Sequence, residues 1–418
     1  MRHREPPCRV CLRPENDRST LRAFTTAMFV SNIGRNAYFI GVGWSVLVRT
    51  NSTATVSWVL FAGSLTIFLT SGVLGQIADL MDKRRLSLLL DVARVVVLIV
   101  TGLCEAAGAG IWVMFASVVL YSIADRGYLV SMQAMIPALA SAERTVIANS
   151  IFYLAMQAGN LMGALVVVGL LRTVPHDVVL MINAGAFVIS ACALRAIPER
   201  AAGQGQGSPT TTSRISWAFP ISFVTRNSLA GLAIFYCLCC AVAILINVLL
   251  AGYVSKELAG DVILFGKLEA AWALGAAAGC LALATSYCRP LIRMGVAPLL
   301  LALGCGLLIL GLCPKQEWTL LIVAGLGTFY NLCRVNADVH LQRAVDPSSI
   351  GSAKGAFEMI SAGFGLAVYL AIGLLTTLVQ PSAIFASYGF FIVVVVTLCS
   401  IAARFRRRAI SDGRGALD

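Results

Sequence analysis

The sequence predicts an all-α, polytopic membrane protein with twelve transmembrane helices in two six-helix bundles. Three observations predict it. The 418 residues are 58% hydrophobic and only 12% charged, against about 25% charged in a soluble domain, so the chain has too few charges for a water-facing surface. Apolar stretches near the ~20 residues that cross a bilayer recur along the whole chain. Lys and Arg fall on alternate loops, as topology signals do.

The predicted spans are 24–48, 56–78, 87–107, 111–136, 146–171 and 178–197, then 229–254, 260–285, 296–313, 318–340, 353–379 and 382–403. Glycine and proline occur inside them, as membrane helices tolerate. A polar, Arg-rich tail, 1–23, precedes the first span. That span is longer than the 7–15-residue apolar core of a signal peptide and is read as retained. A second basic tail covers 404–418, including Arg404, Arg406, Arg407 and Arg408.

The hydrophilic stretch 198–228 contains Gly203-Gln204-Gly205-Gln206-Gly207-Ser208-Pro209 and shows no core-forming pattern. It is read as a flexible linker between an N-terminal bundle, 24–197, and a C-terminal bundle, 229–403. With the N-terminus inside, the cytoplasmic loops hold Lys83, Arg84, Arg85, Arg144, Arg195, Arg289, Arg293, Arg343 and Lys354, whereas the opposite side holds Arg49, Arg172, Lys256 and Lys315. This asymmetry predicts two cytoplasmic termini. The net charge of +12 is thus a topology signal, and its dispersal over short loops argues against nucleic-acid binding.

The 13 cysteines lie mostly within apolar segments, where cysteine acts as a small hydrophobe. Cys8-Arg9-Val10-Cys11 is a lone CxxC in the basic tail with only His3 nearby, short of the four ligands of a structural metal site. Neither a metal nor a cofactor is expected. With His3, His176 and His340 the only histidines and no G-x-x-x-x-G-K-[ST] phosphate loop, neither an enzyme nor a directly ATP-driven pump is expected. A receptor or scaffold is disfavoured by charges in both halves.

The loop between spans two and three reads Gly75-Gln76-Ile77-Ala78-Asp79-Leu80-Met81-Asp82-Lys83-Arg84-Arg85. Gln133 and Pro137 after span four are echoed by Gln342 and Pro347 after span ten, with Arg126 and Arg334 in the preceding helices. Matches at equivalent points of two six-span halves suggest an internal repeat, which in transporters places the site at the midplane between the halves.

The hairpin resembles the signature loop of the major facilitator superfamily, G-x-L-A-D-x-x-G-R-[RK]-[RK]. Pro137-Ala138-Leu139 with Glu143-Arg144 and Ala148-Asn149-Ser150, and Leu341-Gln342-Arg343 through Pro347 and Gly351, are similar to segments of its drug and siderophore exporter branch, which includes the enterobactin exporter and macrolide efflux proteins. The chain departs from the pattern at Leu80, at Asp82 where glycine is usual, and at Gly159-Asn160-Leu161-Met162-Gly163, where the antiporter motif's proline is missing. Gly159 and Gly163 still permit close helix approach. The second hairpin, 287–293, has lost its acid, and Arg35 stands where many relatives carry an acid.

The resemblance implies a proton-coupled exporter of a small organic molecule in the cell inner membrane, with a siderophore foremost. Macrolide-type drugs and lysophospholipid are the alternatives. The expected partners are the cargo, membrane lipid and protons, with no nucleic acid and no obligate protein partner. The resemblance also implies that Asp79 meets the N-terminal end of helix eleven near 352–355, and that Lys83, Arg84 and Arg85 bind carboxylates or helix carbonyls.

A charge inside a membrane faces a cavity or a partner. The candidates are Arg35, Asp91, Arg94, Asp125, Arg126, Lys267, Glu269, Arg334, Asp338 and Glu358. Arg35 is suited to an anionic cargo group or to an acid on another helix. Asp91 and Arg94, three apart, read as a structural pair. Asp125 is the proton-carrier candidate of the first half, beside Arg126, and Arg334, Asp338, Glu358 and Glu269 are the proton-coupling or cavity candidates of the second, with the outer interface as the plainer reading for Lys267 and Glu269. Trp44, Tyr128, Phe152, Tyr153, Tyr236, Trp272 and Phe364 are read as cavity lining or packing.

Overall fold

The computed structural model describes residues 14–50, 53–139, 145–171, 173–198, 219–226, 229–260, 262–284, 294–313, 316–375 and 379–414. Among the described residues twelve long helices follow one another: α1 Pro14–Thr50, α2 Thr53–Leu80, α3 Lys83–Ala106, α4 Trp112–Leu139, α5 Thr145–Leu171, α6 His176–Arg195, α7 Ala230–Lys256, α8 Val262–Ala284, α9 Val296–Leu312, α10 Gln316–Ala344, α11 Ile350–Leu375 and α12 Pro381–Arg414. No strand occurs among the described residues. Each predicted span overlaps one helix, with ends that differ by up to a few residues except at the start of α1 and the end of α12, because in a bilayer a helix satisfies its own backbone.

Ten described helices are by themselves long and apolar enough to cross a membrane. The other two depart for visible reasons. In α1 the polar residues Ser31, Asn32, Arg35 and Asn36 interrupt the apolar run. The helix α9 has 17 residues, about 26 Å at 1.5 Å per residue. The helix α1 also begins ten residues before the predicted span, inside the basic tail.

Packing repeats between the halves. In the first, α1 packs on α5 and α6, α2 on α4, and α3 on α4 and α6; in the second, α7 packs on α11 and α12, α8 on α10, and α9 on α10 and α12. Adding six to each number of the first set gives the second, the structural counterpart of the weak sequence repeat. Two seams join the halves, α2 against α11 and α5 against α8, and they exchange under the same rule.

The α1–α5 contact depends on Gly159 and Gly163. A Cβ on Gly159 would sit 2.8 Å from the Asn32 Cβ, and one on Gly163 would sit 3.1 Å from the Asn36 Cβ. Asn36 Nδ2 crosses the contact to donate to the Asn160 carbonyl at 2.5 Å. Gly159→Val is expected to cost about 1–3 kcal/mol by overpacking. The readout is a lower unfolding midpoint of the purified protein; an unchanged midpoint would place α1 and α5 farther apart.

The linker expectation needs correction over its last part. Residues 203–212 lie outside the described residues, but Phe219–Arg226 forms a two-turn helix that packs on α11, with Val224 buried at 4% exposure. A helix this short is stabilised by tertiary packing rather than by its own sequence, so the residue pattern did not announce it. Cys8, Cys11 and the second hairpin at 287–293 also lie outside the described residues.

Candidate functional site

The site begins at the α2–α3 hairpin. Helix α11 opens after a 3-10 turn, Pro347–Ser349, and the first N–H groups of a helix have no partner within it. Asp79, in the last turn of α2, supplies both acceptors: Gly351 N donates to Oδ1 and Ser352 N to Oδ2, each at 2.6 Å. A carboxylate is favoured at a helix N-terminus. The contact includes Ser352, the first residue of the expected 352–355, and reaches one residue further back, to Gly351.

Glycines allow this approach. A Cβ on Gly75 would lie 2.9 Å from the Gly355 Cα, and one on Gly351 would lie 2.6 Å from Asp79 Oδ1. The departure at Asp82 has a local cause: Asp82 Oδ1 accepts from Arg85 N at 2.7 Å and caps α3. Arg84 donates to the carbonyls of Leu194 at 3.1 Å and Arg195 at 2.8 Å, at the end of α6. Lys83 is buried in the first turn of α3, whereas Arg85 is exposed.

Three further polar ties cross between the halves. Asn149 Nδ2 on α5 donates to Gln342 Oε1 on α10 at 2.8 Å. Tyr153 Oη on α5 donates to Asp338 Oδ2 on α10 at 2.6 Å. Arg126 Nη1 on α4 donates to Glu358 Oε2 on α11 at 2.7 Å. With the Asp79 contact, these ties run from mid-helix to the end that carries the α2–α3, α4–α5 and α10–α11 connections. At the far end the observed ties stay within one half: Arg49 with Glu105 at 3.3 Å, and Ser382 N with Glu257 Oε1 at 2.9 Å.

Above the Arg126–Glu358 tie lies a cavity of about 360 Å³ between the halves, lined by Arg35, Ser64, Arg126, Tyr330, Arg334 and Glu358 among others. Its lining extends along α11 to Tyr369, away from the closed end. The structure is therefore closed at the hairpin end, with its cavity on the other side.

Two charge clusters flank the cavity. In the first half, Arg35 Nε donates to Asp125 Oδ2 at 2.9 Å, and Arg94 Nη1 reaches Asp125 Oδ1 at 3.3 Å. Arg94 Nη2 also binds Asp91, which accepts from Ser190 at 2.8 Å. Arg94 is fully buried and stacks on Tyr128, 4.0 Å from the ring centroid. The cluster ties α1, α3, α4 and α6 together. Asp125 and Arg126 point into different surroundings, as neighbours ~100° apart on a helix do.

In the second half, Arg334 and Asp338 do not pair, despite their i, i+4 spacing. Arg334 Nη2 lies 3.6 Å from Glu358 Oε1, with its guanidinium 4.5 Å from the Tyr236 ring centroid. Asp338 Oδ1 accepts from Lys354 Nζ at 2.6 Å. Lys354 also donates to Tyr236 Oη at 2.7 Å and lies 3.4 Å from Glu358 Oε1.

Sequence reasoning placed Lys354 in a cytoplasmic loop; it is 3% exposed, within α11. The signal was the positive charge beside a span boundary drawn one residue before it, at 353, whereas the helix starts at Ile350. Of the aromatic candidates, Tyr153 and Tyr236 join the ion network, Tyr128 packs on Arg94, and Trp44 is 49% exposed. Lys267 is exposed as well.

Two bundles of matching internal packing, joined along two seams around a charged cavity closed at one end, define a membrane transporter. The model of the Major Facilitator Superfamily matches residues 24–368, and the chain belongs to that family. Its structure is similar to a bacterial homologue of the iron transporter ferroportin in an outward-facing state (TM-score 0.75, 16% identity, 92% of this chain and 98% of that one). It is also similar to the human organic anion transporter MFSD10 (0.74, 15%, 93% and 100%), and to the transporter FucP in its outward conformation (0.69, 11%, 92% and 98%). At these identities the likeness is one of fold. No curated protein sequence matches the chain significantly.

Proposed function

We propose that this chain exports a small organic anion carrying a carboxylate or a comparable acidic group, with a siderophore first among the cargoes, and that proton entry drives the exchange. The observation that carries this reading is the charge around the cavity floor. Among the described residues, the acidic partners of Arg126, Arg334 and Lys354 are Glu358 and Asp338, which leaves one positive charge in surplus. Guanidinium groups recognise carboxylates by paired hydrogen bonds. A cationic drug would meet this surplus, which ranks macrolide-type efflux behind organic anions. A metal cation as cargo would meet it too, so the likeness to the ferroportin homologue is not taken as a guide to cargo. The organic anion transporter of the same fold is in keeping with the arginines without carrying the reading.

The excess of Lys and Arg in the loops at the hairpin end supports a cytoplasmic location for that end, and on this reading the structure is outward-open. Glu358 lines the cavity, Asp338 holds the neighbouring Lys354 and Tyr153, and Asp125 pairs with the cavity-lining Arg35; at each, a proton would release an arginine or a lysine from its partner. The test is mass spectrometry of medium and cell pellet from cells with and without this chain, under iron starvation and iron repletion. An iron-chelating acid retained in cells that lack the chain, only under starvation, is the expected result. Dissipating the pH gradient should retain the same compound. Unchanged secretion of every organic acid in both conditions would contradict the reading.

A further inference from the structure

Glu358 sits where four donors from four helices converge. Arg126 on α4 gives it 2.7 Å, Tyr236 on α7 donates to Oε1 at 2.6 Å, Arg334 on α10 lies at 3.6 Å, and Lys354 on α11 at 3.4 Å. One carboxylate does not use all that this site offers. The Nε groups of Arg126 and Arg334 are both buried and find no acceptor among the described residues, and an unmet buried donor carries a desolvation cost. Both arginines line the cavity. The site is thus a carboxylate-binding site, open to the cargo path, that holds a carboxylate of the chain's own.

We infer that Glu358 is a resident stand-in for the cargo's acidic group: an entering carboxylate displaces it from Arg126 and Arg334, and Lys354 takes it up. This rests on the anion reading proposed above. Lys354 is placed for the role, four residues before Glu358 on the same helix and already shared between Glu358 and Asp338. The exchange has a mechanical consequence. Displacing Glu358 from Arg126 opens the cross-half tie nearest the cavity. Drawing Lys354 toward Glu358 weakens its hold on Asp338, and Asp338 makes the next tie, to Tyr153. Cargo loading therefore loosens two ties in order, from the cavity toward the gate, and the surplus positive charge is neutralised as they loosen. Lys354 acts here as a positioning residue, and Glu358 sets how tightly an anion is held.

The test needs neither cargo nor transport. In purified full-length Glu358→Ala, acetate is expected to refill the site. It should raise the melting temperature saturably, on the order of 2 °C, relative to chloride at equal ionic strength. Wild type should not respond, and Glu358→Ala with Arg126→Gln should lose the response. A second arm covers an alanine variant that fails to fold. In Glu358→Gln, which keeps shape and loses charge, labelled benzoate should bind about tenfold more tightly than in wild type, because the internal competitor is gone. A merely structural ion pair, or a Glu358 that cargo requires, predicts weaker or equal benzoate binding. No acetate response in the alanine variant, or no gain in benzoate affinity in the glutamine variant, overturns the inference. The anion-export reading is judged separately by the secretion assay, so acetate can rescue the variant even where no organic acid is retained in cells.

Discussion

Asp79→Asn is expected to cut transport at least tenfold while leaving the amount of protein in the membrane unchanged. The carboxylate accepts two backbone N–H groups of α11 at 2.6 Å each. Asparagine keeps one oxygen and the shape, but loses the charge and turns the second acceptor into a donor facing a donor. A hydrogen bond to a charged group contributes roughly 1.5–3 kcal/mol against 0.5–1.5 for a neutral one, and the helix N-terminus adds about 0.3–1 kcal/mol for an anion. The difference, about 1.3–2.5 kcal/mol by these figures, is expected to stabilise the state closed at the hairpin end. Its loss shifts that equilibrium by roughly tenfold or more, at 1.4 kcal/mol per factor of ten. Transport by reconstituted protein is the first readout. Faster thiol labelling of a cysteine introduced at Ser352 is the second, since it reports the opened seam. Normal transport with unchanged labelling would remove Asp79 from the gate.

Arg94→Met is expected to be the most destabilising single change in the first half. The guanidinium is fully buried and lies between Asp91 and Asp125. Without it Asp91 retains only its Ser190 hydrogen bond among its observed partners, and Asp125 depends on Arg35. Breaking a buried ion pair by removing one partner costs about 3–5 kcal/mol, because the other charge remains buried without compensation. Removing the stranded charge as well should recover part of this loss, so Arg94→Met with Asp91→Leu should unfold later than Arg94→Met alone. The check is the unfolding midpoint of each variant in the same detergent. A single variant as stable as wild type would mean that Arg94 packs without pairing.

The fold was legible because the bilayer sets helix length and the loops record orientation. Apolar runs fell on twelve helices, and the faint echo between Gln133–Pro137 and Gln342–Pro347 marked a repeat that the packing shows in full. The Asp79 contact was legible only through the resemblance to the superfamily's signature loop, which implied that the acid at the end of α2 meets the start of helix eleven; the physical reason, a carboxylate meeting unpaired N–H groups at a helix N-terminus, is seen in the structure. Side-chain partnership beyond one helix was less readable. Arg334 and Asp338 stood out as charges of the same helix, but their partners were not readable: the approach of α11 brings Lys354 to Asp338 and Glu358 toward Arg334. Lys354 itself was hidden by a span boundary, since a lysine beside an apolar run reads as a topogenic flank until the helix start is known. Glu105, inside the predicted span 87–107, was not singled out, and only the fold shows that it meets Arg49 at the end of α1.

The most direct test of anion transport through the arginine-lined cavity is charge movement in proteoliposomes on a solid-supported membrane. Pools of carboxylate-bearing, neutral and cationic compounds would be presented in turn to wild type and to Arg126→Gln. Charge movement with the carboxylate pool, abolished by Arg126→Gln, is the predicted result. Charge movement with cationic compounds alone, or a carboxylate response that survives Arg126→Gln, would contradict it.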